Sequence, residues 1–83
     1  MHEASLVADL VRKAEQVVHA EGARRATEVV VSQGRFGHVS PAHLRSHFEI
    51  AAAGTSIAGA RLRVRTVGED PELRLVSVTV EDH

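Results

Sequence analysis

Residues 60–81 read ARLRVRTVGEDPELRLVSVTVE, two alternating runs about a short polar turn. In the first run Ala60, Leu62 and Val64 share one face and Arg61, Arg63 and Arg65 the other, which is the period of a strand with one buried face. In the second, 72–81, the apolar phase switches between Leu75 and Val76, and such a switch predicts a bulge. Gly68-Glu69-Asp70-Pro71 is turn chemistry. Two strands joined this tightly are expected to form an antiparallel hairpin.

Working back from this pair, Ser40-Pro41 marks a helix start: the hydroxyl caps a free N–H, and proline at the first helical position loses no hydrogen bond. That helix is expected from 41 to about 53, burying Leu44, Phe48 and Ala51, with Gly54 as its stop. Residues 26–33, ATEVVVSQ, are short and β-branched, so they read as a strand. Over 4–21, Leu6, Val7, Leu10, Val11, Ala14, Val17 and Val18 recur at three- and four-residue spacing, the stripe of an amphipathic helix, and Gly22 ends it. The order is α-β-α-β-β in one domain, 1–83. The simplest arrangement is an α+β two-layer sandwich with two helices on one face of a three-stranded sheet.

The Arg61, Arg63 and Arg65 row then lies on the open sheet face. Its ordinary reading is a solvated surface paired with Glu28 or Glu81. Its functional reading is a contact for an acidic partner surface.

Composition narrows the function. Ten Lys and Arg against eleven Asp and Glu give a formal charge of −1, so no global field recruits nucleic acid. The aromatics are two Phe, with no Trp or Tyr to stack on bases. The absence of cysteine excludes disulfides, thiol catalysis and cysteine-based zinc sites. No apolar run reaches membrane-spanning length and no signal-peptide pattern precedes the first helix, so a cytoplasmic protein is expected. Neither a nucleophile–base arrangement nor a Gly-rich phosphate loop is present, which argues against an enzyme.

The first three residues, Met1-His2-Glu3, carry chemistry of their own. His2 is too large for ordinary methionine removal, so the free amine stays one residue ahead of the imidazole. The Met1 amine and the His2 amide nitrogen close a five-membered ring on a metal, and that amide nitrogen and His2 Nδ1 close a six-membered one. Three nitrogens then share a plane with a fourth position open, an arrangement suited to Cu(II) or Ni(II) rather than zinc. Glu3 can support the site through its carboxylate or enter it through its backbone nitrogen.

The other histidines are weaker candidates. His43 and His47 share a helical face at metal-pair spacing, but the H-E-x-x-H pattern fails and no thiol completes a set. His19 suits the end of a helix, His38 sits in a glycine-flanked loop, and His83 is a chain end.

MHEASL ahead of a long amphipathic helix, the Val-rich strand ending at Gly34, Phe48-Glu49, AGT at 53–55, GARLRV at 59–64 and the closing LRLVSVTVED together resemble the nickel-binding domain of the HypA/HybF family. These are metallochaperones of [NiFe]-hydrogenase maturation. The resemblance implies Ni(II) bound through Met1, His2 and Glu3, delivery to a hydrogenase large subunit, and a HypB-like GTPase as docking partner. The family inserts a zinc module with paired CxxC motifs between its last two strands. Here VGEDPEL (67–73) stands in that place, so no structural zinc is expected. An acidic residue often found before the second helix is Ser40 here, and His38, a partner group or water are alternatives to Glu3 for the fourth nickel position. A metal-free scaffold of the same fold is the competing reading. Unpaired sheet edges also make a homodimer an expectation, by strand exchange through the shortened hairpin.

Overall fold

The computed structural model describes residues 3–35, 40–69 and 72–82, with side chains from residue 5 onward. Helix α1 (Glu3–Ala20) buries Val7, Leu10, Val11, Ala14 and Val18. Its stop is built on Gly22, at φ +64°, whose N–H donates to His19 O while Ala23 N–H donates to Val18 O, both at 3.0 Å. This bond pair closes helices through a left-handed residue, where a side chain would strain the backbone.

Helix α2 (Pro41–Ala52) begins as its sequence predicts: Ser40 Oγ accepts from the His43 N–H at 3.2 Å, and proline takes the first turn. It buries Leu44, Phe48 and Ala52, with Ala51 at the margin of the core. Ser40→Ala is expected to cost about 1 kcal/mol in urea denaturation, and Ser40→Asp to recover most of it.

The three strands are β1 (Arg25–Gln33), β2 (Arg61–Thr66) and β3 (Arg74–Glu81), in the spatial order β2-β1-β3. β1 pairs with β2 in parallel and with β3 antiparallel. The expected β2–β3 hairpin is therefore not formed; the two strands lie on opposite edges. α2 carries the chain from β1 to a parallel neighbour, and the link 67–73 then crosses the end of β1. Two strand spacings are about 10 Å, well within reach of seven residues. The crossing is stitched down by Val67 N–H to Gln33 O at 2.9 Å and Arg35 N–H to Gly68 O at 3.0 Å. β1 is central and uses its hydrogen-bonding groups on both sides, and Val29 and Val31 are fully buried within it. The open edges consequently belong to β2 and β3.

The bulge expected in the last strand is present. Val30 pairs with Ser77 and Val31 with Leu75, leaving Val76 as the extra residue. The phase shift lets Leu73, Leu75, Val78 and Val80 all pack against the core. A second irregularity falls at Thr27 in β1.

Both helices cover one face of the sheet, closing a core of α1, α2, β1 and Leu62 around the fully buried Ile57. Ile57 belongs to the turn after α2. Thr55 Oγ1 donates to Ala52 O at 2.7 Å and accepts from the Ile57 N–H at 3.0 Å, while Ala26 N–H donates to Ser56 O at 2.9 Å. The turn thus plugs the lower end of the sandwich.

Candidate metal centre at the N-terminal end

α1 enters β1 through the short turn after Ala20, so the helix runs antiparallel to β1. Its 18 residues extend about 27 Å, which carries its start to the carboxyl end of β1. α2 starts at that same end, because it follows β1 through a short loop. The link 67–73 crosses there too. Topology therefore gathers the start of α1, the start of α2 and the β2–β3 link at one pole of the molecule.

Met1 and His2 lie outside the described residues, as does His38. Glu3 is the first residue of α1. An acidic residue at that place complements the positive end of the helix dipole. Immediately beyond it, Leu6, Asp9, Leu10 and Lys13 form one wall of a groove whose other wall is Glu72–Leu75. This groove was not anticipated, because a β2–β3 hairpin would have placed the start of β3 elsewhere.

Charge along the groove is mostly paired. Asp9 contacts Lys13 Nζ at 3.2 Å and the guanidinium of Arg12, and Arg74 meets Glu72 at 3.0 Å. The Lys13 hydrogen bond, helped by the nearby charges of Lys13 and Arg12, holds the Asp9 carboxyl below its ordinary value. These exposed pairs orient side chains more than they stabilise the fold.

The remaining histidines do not converge. His43 is exposed and His47 half-buried on α2, while His19 lies in the last turn of α1, at the opposite pole. Among the described residues no three His, Cys, Asp or Glu side chains come together as a metal-binding set. No helix among those residues is long and apolar enough to cross a membrane.

Comparison with known proteins sets this geometry in a family. Residues 1–71 match the family described as hydrogenase/urease nickel incorporation, metallochaperone, hypA. The hydrogenase maturation factor HypA of Deinococcus radiodurans is 43% identical over 75 residues, which cover 87% of this chain and 62% of that protein. The protein of the same name from Geobacter sp. (strain M21) is 40% identical over 81% of this chain and 58% of its own length. The chain thus spans less than two thirds of these curated relatives. The solution structure of the Ni metallochaperone HypA from Helicobacter pylori superposes over the whole of both chains with a TM-score of 0.85 at 18% identity, a likeness of fold. By the match over most of its length and the identity to these relatives, the chain belongs to the HypA family.

Proposed function

We propose that this chain is a Ni(II)-binding accessory protein of hydrogenase maturation that carries nickel as cargo toward the enzyme's large subunit and is not itself a catalyst. The observation that carries this reading is the family match that starts at Met1-His2-Glu3, the same residues whose spacing suits a planar nitrogen chelate. In this reading the Met1 amine, the His2 amide nitrogen and His2 Nδ1 hold three positions. The fourth is filled by Glu3, His38, a partner group or water. A deprotonated amide and the Glu3 carboxylate are both anionic, and the adjoining start of α1 favours negative charge.

A chelate whose fourth position holds an exchangeable ligand suits transfer. A ligand from the acceptor can enter the fourth position before the imidazole leaves, so the ion is never released free. A HypB-like GTPase is the docking partner this family membership suggests, in the cytoplasm. Self-association of two copies would use the β3 edge, since β2 and β3 form no hairpin through which strands could exchange. A monomer in light scattering over a wide concentration range would dismiss it.

The deciding experiment is calorimetric titration with Ni(II) of protein bearing its native, untagged N-terminus. One saturable site per chain is expected. Absence of saturable binding would favour the metal-free scaffold.

Zinc provides an independent prediction. With no cysteine in the chain, purified protein is expected to contain no stoichiometric zinc, and chelators should leave its melting temperature unchanged. One tightly held zinc per chain by elemental analysis would instead promote His43 and His47 as ligands.

A further inference from the structure

The sheet face turned away from the helices has a regular composition. In register across the three strands it presents Arg61, Glu28 and Thr79, then Arg63, Val30 and Ser77, then Arg65, Ser32 and Arg74. Four arginines stand against one glutamate on this grid, and even with Arg74 paired to Glu72 three arginines face only Glu28, while the chain as a whole carries −1. Positive charge is therefore concentrated here, and the rest of the molecule is net acidic. The expected pairing of the arginine row is not found. Glu81 bonds Arg25 at 2.9 Å. Among the described residues, Arg61, Arg63 and Arg65 make no side-chain ion pair or hydrogen bond, and all three are exposed.

Apolar groups lie between the charges. Val30 is half-buried at the centre of the grid. Val67 and the bulge residue Val76 are 54% and 46% exposed. Val67 continues the arginine phase of β2, and the β3 phase switch puts Val76 beside Ser77 on the same face. The bulge therefore adds an apolar group to the open side.

We propose that this open face docks an acidic, extended segment of a partner protein, with carboxylates at alternate residues lying along the Arg61-Arg63-Arg65 row and small apolar side chains against Val30, Val67 and Val76. Same-face residues of an extended chain recur at about 6.8 Å, so alternate carboxylates match alternate arginines. The segment lies over the face, where the arginines are, rather than joining the β2 edge, where Arg45 Nε already donates to one carbonyl, Leu62 O, at 3.4 Å. Face-to-face docking of two copies would oppose arginine to arginine. The valines between the charges, with no exposed aromatic among the described residues, suit a peptide better than a nucleic acid. This inference is independent of nickel binding and stands or falls without the metal.

The test uses the nickel-free full chain labelled with ¹⁵N and a synthetic seven-residue peptide alternating Glu and Val. Amide shifts are expected at residues 28–32, 61–67 and 76–79. The affinity should fall at least tenfold in R61E/R63E, and the double variant should regain binding to a Lys-Val peptide. R63Q/R65Q should weaken binding several-fold and serves as the readout if the charge reversal perturbs folding. The proposal is overturned by an absence of shifts at millimolar peptide, by shifts confined to the helical face, or by equal binding of a Gln-Val peptide. It is overturned too if a single-stranded oligonucleotide of matched charge binds as tightly.

Discussion

His2→Ala is expected to abolish tight nickel binding while the circular dichroism spectrum and melting temperature stay unchanged. Removing the imidazole deletes one nitrogen and the six-membered ring at once. The remaining amine cannot by itself hold the metal while a neighbouring amide gives up its proton. The core of the described residues is closed by α1, α2, β1, Leu62 and Ile57, so folding is not expected to register the change. Extending the chain by Gly-Ser ahead of Met1 should weaken binding nearly as much, because it moves the primary amine two residues away. Affinity should also fall steeply on acidification, since each nitrogen must lose its proton to bind. Unchanged affinity in the extended protein would refute the amine–amide–imidazole chelate, and a collapse of the spectrum in His2→Ala would make the residue structural.

Phe48→Ala should produce the largest loss of stability, about 3–5 kcal/mol in denaturant midpoint experiments. Phe48 is 2% exposed on the inner face of α2 and shares the core with Leu44 and Ile57. A domain of 83 residues has a total stability of only about 4–12 kcal/mol. The substitution removes most of the ring's burial and leaves a cavity that closely packed neighbours cannot collapse into. Phe48→Leu keeps much of the volume and should cost far less, about 1.5 kcal/mol or under. A loss below about 1 kcal/mol for the alanine variant would mean that α2 is not seated on the sheet through this side chain.

The sequence was most readable where one period runs undisturbed. The valine and leucine stripe of α1, the Ser40-Pro41 start of α2 and the arginine alternation of β2 each express a single local geometry. Each element matched within a residue or two of its expected bounds. Even the bulge was legible, because a phase slip at Val76 leaves no other way to keep Leu75 and Val78 on one face.

Strand order was not legible. A seven-residue link permits either a hairpin or a crossing over a middle strand, and nothing within 67–73 distinguishes them. The valines of β1 do not decide it either, since β3 carries as many β-branched residues and side-chain alternation reports buried faces rather than bonded edges. Ile57 escaped notice for a related reason. It stands alone among small turn residues, and its burial depends on where the turn folds rather than on any repeat. At the candidate metal site, residue chemistry and resemblance supplied the ligands. Fold topology added the pole at which the start of α1, the start of α2 and the strand link meet.

The crossing of the link over β1 has a consequence for how such a domain can be remodelled. In a hairpin the turn sets the pairing of its two strands, so changing its length risks slipping one against the other. Here β2 and β3 each take their alignment from β1 and owe nothing to each other. Chain can be let in or taken out between Thr66 and Arg74 without disturbing either ladder. Lengthening the link from seven residues to about fifty costs only about 2 kcal/mol of closure entropy. The crossing is thus a natural graft point, where a lineage can acquire or shed an independently folded module while the scaffold beneath it stays intact.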